Sequence, residues 1–170
     1  MIFSTKRLHL RKLLASDTDL FFDMMGNPKV MNPVPRPAMN RAESDEKLAI
    51  LIDQGDNSPT QIRAITEIGG QEFIGIAGFL INAENQHEIA YRLREKFWDI
   101  GYGTEIAKGL LAYGFDTLNY QEIIGDVFIE NIPSTKILEK FMTPVKEFFN
   151  ENDQCIDRRY SVTKQEFKKI

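Results

Sequence analysis

Two glycines carry an extended segment into a helix in the stretch Phe97-Trp98-Asp99-Ile100-Gly101-Tyr102-Gly103-Thr104-Glu105-Ile106-Ala107. Because Gly101 and Gly103 lack a Cβ, the backbone there can adopt positive φ and approach a ligand closely. The N–H groups that open the following helix have no partner within it, and the helix dipole adds about half a positive charge at that end. The stretch therefore predicts a turn that binds phosphate or pyrophosphate. The alternative is plain punctuation between a strand and a helix.

Composition limits the kinds of protein that this chain can be. Its 170 residues are 42% hydrophobic and 27% charged, which predicts one globular domain over residues 1–170. A formal charge of -4 argues against a surface that coats nucleic acid and is compatible with an amine-bearing partner. The single Cys155 cannot form an internal disulfide, which fits a reducing cytoplasm. We expect no secretion signal and no membrane association, because no apolar run is long enough.

The first third of the chain predicts one strand and two helices. Residues 7–13 alternate leucines with polar residues, as a half-buried strand does. Ser16 or Asp17 then caps a helix that ends at a glycine followed by proline. Prolines crowd residues 28–37 and predict a stiff surface loop, which is either a linker or a segment that covers the substrate. Helical spacing resumes over residues 41–54.

The middle of the chain predicts three antiparallel strands. Residues 61–68 and 72–81 flank Gly69-Gly70, a pair typical of a two-residue hairpin loop. The second of these strands is apolar on both faces, so we expect it to be central in the sheet. Residues 87–93 alternate again and lead into the glycine turn.

The last part of the chain predicts one βαβ unit. A helical stripe over residues 104–118 is followed by a strand over residues 122–128, which should lie parallel to the strand of residues 87–93. A further helix opens at Asn131, and two short strands near residues 145–149 and 158–164 close the chain. The predicted fold class is α/β (α+β), with a mixed, mostly antiparallel sheet of six to seven strands and about four helices.

Four motifs, in register with these elements, carry a resemblance to a known family. They are Thr5-Lys6-Arg7-Leu8-His9-Leu10-Arg11, Glu88-Ile89-Ala90-Tyr91, Trp98-Asp99-Ile100-Gly101-Tyr102-Gly103-Thr104-Glu105, and Glu130-Asn131-Ile132-Pro133-Ser134 with Leu138-Glu139-Lys140. Together they resemble the GNAT acetyltransferases, in particular the branch that acetylates ribosomal-protein N-termini and related amines. The resemblance covers nearly the whole chain.

The resemblance implies a sheet splayed between its fourth and fifth strands, with acetyl-CoA in the splay. We expect no metal, because two isolated histidines and one distant cysteine have no metal-ligand spacing. The resemblance also implies direct acetyl transfer to a primary amine, either a small molecule or a protein or peptide N-terminus, by a monomer or a homodimer. The pantetheine arm would pair with the backbone of Tyr91, Arg92, Leu93 and Arg94 and with the Asn131 amide. The pyrophosphate would lie on Ile100, Gly101, Tyr102, Gly103 and Thr104.

Two residues are the candidates for catalysis. Ser134 matches the family position whose hydroxyl donates to the sulfur of CoA. Glu88 is the candidate base that removes the proton from the ammonium group. Each has a plainer alternative, since Ser134 could cap a helix and Glu88 could be a solvent-facing strand residue.

One departure from the family and two other functions remain to be weighed. Phe141-Met142-Thr143-Pro144 replaces the Gly-Phe that ordinarily follows Leu-Glu-Lys, which leaves the placement of the last two strands open. A dinucleotide-binding oxidoreductase would use Asp126, about 20 residues beyond the glycines, as its ribose ligand. It lacks a third glycine, because Ile106 stands there. A non-catalytic acyl-CoA sensor on the same fold is the other alternative.

Overall fold

Seven strands form a single mixed sheet in the computed structural model, which describes residues 3–33, 35–54, 58 and 60–170. In chain order the strands β1 to β7 are Leu8–Arg11, Gln61–Glu67, Gly75–Ile81, His87–Leu93, Glu122–Phe128, Thr143–Asn150 and Cys155–Thr163. The helices α1 to α6 in this part of the chain are Thr18–Met25, Pro28–Met31, Arg41–Asp53, Tyr102–Asp116, Ile132–Leu138 and Lys164–Phe167. The predicted mixed α/β class is confirmed.

The sheet consists of two antiparallel halves that meet at one parallel junction. Its strand order is β1-β2-β3-β4-β5-β7-β6. Strands β3 and β4 pair along their whole length, whereas β4 and β5 are in register only at Glu88 and Ile124. Beyond that point the two strands diverge, so the predicted splay between the fourth and fifth strands is present and opens a cleft.

Helices cover both faces of the sheet, which explains why β3 is apolar on both sides. Phe79 belongs to the cluster that packs against α4, and Ile76 borders the cluster formed with α1 and α3. Because successive side chains of a strand point to opposite faces, a strand buried on both faces needs apolar residues throughout. The prediction that this strand is central is confirmed.

The proline-rich connection is not a surface loop along its whole length. Pro28–Met31 forms the short helix α2, and the Asn27 side chain caps it by accepting a hydrogen bond from Lys29 N at 3.0 Å. Proline suits the first turn of a helix, where its missing N–H has no intrahelical partner to lose. Val30 and Met31 are buried. The loop prediction is therefore wrong for these residues, and Val34 lies outside the described part.

The prediction of a two-residue hairpin loop between β2 and β3 is also wrong. The pairing of the two strands ends at Ile65 and Gly75, and β2 continues to Glu67 because Glu67 pairs with β1. Gly69 does adopt positive φ, at 77°, but the connection runs on through Phe73 and Ile74, which are buried. The glycine therefore predicted the position of the turn correctly, but the burial of Phe73 and Ile74 makes the connection longer than two residues.

The last two strands form despite the departure at residues 141–144. Phe141 and Met142 are buried, and β6 pairs with β7 through an irregularity between Pro144 and Lys146. A bulge of this kind accommodates a proline in an edge strand, where no ladder hydrogen bond is lost on the open side. No helix among the described residues has the length and hydropathy needed to cross a bilayer.

The two-sided burial of β3 predicts a sharp contrast between two phenylalanines. Phe79 is 1% exposed and Phe149, on the edge strand β6, is 53% exposed. Phe79→Ala should lower the free energy of unfolding by about 3–5 kcal/mol because it leaves a cavity in the core. Phe149→Ala should change it by less than about 1 kcal/mol. Urea denaturation measures both, and equal losses would contradict this description of the core.

Candidate active site

Only one of the two glycines in the turn adopts the positive φ that the sequence predicts for both. Gly101 has φ of 84° and forms the N-cap of α4, which begins at Tyr102 rather than at Thr104. Gly103 lies within the first helical turn and is absent from the residues with positive φ, so that part of the prediction is wrong. A Cβ on Gly103 would lie 2.8 Å from Ile137 Cδ1. Gly103 therefore permits the close approach of α4 and α5.

The turn is held by the segment that precedes β1. Glu105 Oε1 accepts hydrogen bonds from Thr5 Oγ1 at 2.6 Å and from Arg7 N at 2.7 Å, and Arg7 Nε donates to Glu105 Oε2 at 2.6 Å. Arg7 Nη1 also donates to the carbonyl oxygen of Ile100 at 3.0 Å. These contacts fix the start of α4, so its free N–H groups keep one direction.

The side chain of Tyr102 does not face a ligand. It is buried, its hydroxyl donates to Glu67, and its ring lies under the guanidinium of Arg7, 4.5 Å from Cζ. Within the predicted phosphate turn, Tyr102 can therefore contribute its backbone N–H only. The side chain of Thr104 accepts a hydrogen bond from Lys140 Nζ at 3.1 Å, which brings a cation to the same turn.

The backbone of β4 faces the cleft at alternate residues. Arg94 N donates to the carbonyl oxygen of Ile74 at 2.9 Å, so the backbone of Arg94 is directed toward β3. By the alternation of an antiparallel ladder, Arg92 is directed the same way, whereas Tyr91 and Leu93 point toward β5. The Leu93 carbonyl oxygen already accepts a hydrogen bond from Trp98 Nε1 at 3.1 Å. Among these four residues, Tyr91 offers both of its backbone groups to the cleft.

Ser134 does not cap its helix. The cap of α5 is Asn131, whose Oδ1 accepts a hydrogen bond from Ser134 N at 3.3 Å. The hydroxyl of Ser134 lies near that of Tyr91, which is buried without a hydrogen-bond partner of good geometry. Burial raises the pKa of Tyr91, and the neighbouring Ser134 hydroxyl opposes that shift. Two hydroxyls thus converge across the cleft, one from β4 and one from α5.

Glu88 lies where the two halves of the sheet touch. Burial raises the pKa of its carboxyl group to about 7, the charge of Asp126 adds to the shift, and Arg159 opposes it. The backbone N–H of Asp126 also donates to this carboxylate. Glu88 is therefore not a solvent-facing strand residue, and its pKa suits a group that takes up a proton near neutral pH.

Asp126 is engaged in an ion pair and cannot serve a ribose. Arg159 Nε and Nη2 each donate to one of its carboxylate oxygens at 2.8 Å, and both side chains are largely buried. The strands before the glycine turn are antiparallel, unlike the first unit of a dinucleotide-binding fold. The structure therefore argues against the oxidoreductase alternative on two counts.

The two predicted arginines have different side-chain environments. Arg94 is buried and donates to Asp23 at 2.7 Å, to Glu72 at 2.9 Å and to the Phe73 carbonyl oxygen at 2.9 Å. Its side chain thus stabilises the end of β4. The guanidinium of Arg92 donates to the sulfur of Met25 at 3.3 Å.

Two side chains of the candidate site, those of Lys140 and Tyr91, were not identified from the sequence. Lys140 was noted only as part of a motif, and its contact with Thr104 depends on how α5 packs against α4. The hydroxyl of Tyr91 was also missed, because the sequence indicated a role for its backbone alone. Alternation along β4 could have shown that this side chain shares a face with Leu93, but not that it meets Ser134.

A cavity of about 340 Å³ lies elsewhere, at the end of α5 beside α6. It shares Lys140 with the phosphate turn and is lined by none of Glu88, Tyr91 and Ser134. The cavity is therefore distinct from the cleft that holds these three residues. The described residues hold no cluster of three or more metal-binding side chains. Cys155 is buried, and burial raises the pKa of its thiol to about 11, which makes it a poor nucleophile.

Comparison with known proteins identifies the family of this chain. Residues 7–141 match the family model described as Acetyltransferase (GNAT) domain. An uncharacterized N-acetyltransferase, p20 of Bacillus licheniformis, is 32% identical over 139 residues, which is 79% of this chain and 77% of that protein.

Two solved structures share the fold. The ribosomal L7/L12 alpha-N-protein acetyltransferase RimL, in complex with coenzyme A, has a TM-score of 0.78 and 15% identity over 96% of this chain and 98% of its own. Spermidine N-acetyltransferase from Vibrio cholerae, in complex with CoA and spermine, has a TM-score of 0.78 and 17% identity over 95% and 98%. With the family model matching most of its length, this chain belongs to the GNAT family of acetyltransferases.

Proposed function

We propose that this acetyltransferase moves the acetyl group of acetyl-CoA to a primary amine, on a small molecule or on a protein or peptide N-terminus, by direct transfer. The observation that carries the proposal is the buried hydroxyl of Tyr91, which lies beside Ser134 and lacks a hydrogen-bond partner of good geometry. A buried polar atom without a partner is costly, and a bound ligand that accepts its hydrogen bond removes that cost.

The cleft has the groups that an acyl-CoA molecule requires along its length. The N-terminus of α4 offers free N–H groups and a positive dipole to the pyrophosphate, and Lys140 adds a cation beside Thr104. The backbone of Tyr91 can pair with the pantetheine amides, and the side-chain N–H₂ of Asn131 remains for the same arm because its oxygen caps α5. When bound, acetyl-CoA would supply the activated acetyl thioester.

The reaction requires two proton transfers, one from the ammonium group and one to the departing sulfur, and we assign them to residues on opposite sides of the thioester. Glu88, with a pKa of about 7, would accept the proton of the ammonium group directly or through a water molecule. Ser134 would donate a proton to the departing sulfur, and the hydroxyl of Tyr91 would orient Ser134 or share this role. Because Asn131 caps the helix, the Ser134 hydroxyl is free for this task.

The resemblance to the ribosomal-protein branch favours an N-terminal α-amine, while the structural neighbours include both a protein N-terminal acetyltransferase and a spermidine acetyltransferase. Release of free CoA thiol, measured with acetyl-CoA and a panel of amines, tests the proposal. Thiol release that depends on an amine supports an enzyme. Tight acetyl-CoA binding without release under any condition would favour the acyl-CoA sensor.

Acetyl-CoA should stabilise the protein against heat, whereas NAD should not. At 100 times its dissociation constant it should add about 2.7 kcal/mol to the free energy of unfolding. Lys140→Gln should weaken acetyl-CoA binding by about tenfold, the equivalent of one charge-assisted hydrogen bond. Lys136→Gln, at an exposed position on α5 one turn before Lys140, is the matched control and should leave affinity unchanged. The absence of any thermal shift with millimolar acetyl-CoA would contradict the proposal.

Ser134→Ala should lower kcat by about 10 to 1000 fold with little change in acetyl-CoA affinity, as expected for a lost proton donor. Because Asn131 rather than Ser134 caps the helix, the unfolding free energy of the Ser134→Ala variant should stay within about 0.5 kcal/mol of the wild-type value. Tyr91→Phe should also lower kcat, and the double variant should lose less than the product of the two single effects. Tyr113→Phe, which alters a tyrosine on α4, is the control. A stability loss of about 1 kcal/mol with normal kcat would instead identify Ser134 as structural.

With a Glu88 pKa of about 7, we expect kcat/KM of the wild type to rise as the pH passes that value, and Glu88→Gln should remove this rise. Above that pH the wild-type carboxylate is ionised and can accept a proton, which glutamine cannot do. The deficit should be greatest between this value and the pKa of the amine, near 8 for an α-amino group, and should shrink at lower pH, where Glu88 is protonated too. Glu122→Gln, an exposed residue of β5, is the control. Identical profiles for wild type and Glu88→Gln would exclude Glu88 as the base.

A further inference from the structure

We propose that Arg92 binds an anionic group of the acceptor, so that the preferred substrates are amines that also carry a carboxylate or phosphate. This inference rests on the acetyltransferase function proposed above and narrows its substrate class. It concerns the face of β4 opposite Tyr91, and it assigns a role to a side chain that the donor site does not use.

The position of Arg92 places it in the open part of the cleft. Side chains alternate along a strand, so Glu88, Ala90 and Arg92 share one face of β4. Glu88 marks the single register position at which β4 meets β5, and Arg92 lies four residues further along, about 13 Å in an extended strand. Arg92 therefore lies where the two strands have diverged, on the same face as the proposed base.

The guanidinium of Arg92 has no carboxylate partner among the described residues. Its one hydrogen bond there is to the sulfur of Met25, a weak acceptor, although a guanidinium has five N–H donors. Other arginines with little exposure in this region are paired, since Arg94 contacts Asp23 and Glu72 and Arg159 contacts Asp126. Arg92 is partly buried, so its donors are poorly solvated yet still accessible, and an incoming anion would supply the missing partner.

A neighbouring ion pair borders this guanidinium. Arg36, in the connection between α2 and α3, donates to both carboxylate oxygens of Asp153, in the turn between β6 and β7, at 2.6 and 2.9 Å. This pair spans the two halves of the sheet, and both of its members lie close enough to influence Arg92. Because Asp153 is already engaged by Arg36, it does not neutralise Arg92.

Arg92 remains cationic under ordinary conditions. Burial lowers the pKa of its guanidinium to about 10, Arg36 adds to that shift and Asp153 opposes it. At neutral pH the group is therefore protonated. The acceptor would place its amine toward Glu88 and its anion toward Arg92, which binds carboxylate and phosphate groups well because its donors form a planar fork. A polyamine would instead bring a second cation toward this guanidinium.

A matched panel of acceptors tests the proposal. Each straight-chain amine, with one to about five carbons, is compared with the same amine bearing a terminal carboxylate or a terminal phosphonate, and CoA thiol release is followed. The wild-type enzyme should prefer one anionic series over its parent amines by about tenfold or more in kcat/KM. The two anionic series distinguish a carboxylate from a phosphate. Equal rates for anionic and parent amines, or a preference for spermidine, would overturn the proposal.

Arg92→Met keeps an unbranched, apolar stem and removes the charged guanidinium. It should abolish the preference by raising KM for the anionic acceptors, and leave kcat/KM for the parent amines within about twofold. Arg92→Lys should retain a reduced preference, and it decides the question if the methionine variant does not fold. Arg41→Met, which alters a half-exposed arginine on α3, is the control.

The two levels of the proposal fail in different ways. If no amine releases CoA thiol, the acetyltransferase function proposed above is wrong. If parent amines react and Arg92→Met lowers their rates as much as those of anionic acceptors, only the role of Arg92 is wrong. An unchanged thermal shift with acetyl-CoA in each variant shows that the donor site is intact.

Discussion

The single parallel contact between β4 and β5 is the constraint on which the rest of the molecule depends. It holds the two antiparallel halves of the sheet together at Glu88 and Ile124 and lets them diverge beyond. Divergence leaves backbone groups of β4 unpaired, and in a buried sheet such groups require a partner. A ligand with amides of its own can supply one. The same contact buries the carboxyl group of Glu88, which raises its pKa to about 7.

Ion pairs tie the two halves together on either side of this junction. Arg159 of β7 contacts both Asp126 of β5 and Glu84, which lies in the turn between β3 and β4. Arg36 and Asp153 bridge the halves at a second place. Bidentate pairs between arginine and a carboxylate are geometrically specific, so they limit how far the two halves of the sheet can separate. Arg92, which has no such partner, stands out against this pattern.

Much of the fold could be read from local patterns, and much of the site could not. Alternation identified β4, and helical spacing identified α3 and α4 to within about two residues. The same logic placed β3 in the centre of the sheet. It failed for α2, because proline at a first helical turn resembles proline in a loop. It also failed for Gly103, whose missing side chain makes room for Ile137 on α5.

The sequence by itself determined the order of the seven strands and of α1, α3, α4 and α5, and the positive φ at Gly101, because each depends on residues close together in the chain. Glu88 and Ser134 became candidates through the family resemblance. Only the tertiary structure decided what those candidates touch. Asn131 caps α5 and thereby frees Ser134, and Tyr91 meets Ser134 across a gap of 43 positions, the difference between 91 and 134. Burial and charge pairing are properties of assembled surfaces, so the shifted pKa of Glu88 and the unpaired charge of Arg92 have no local signature.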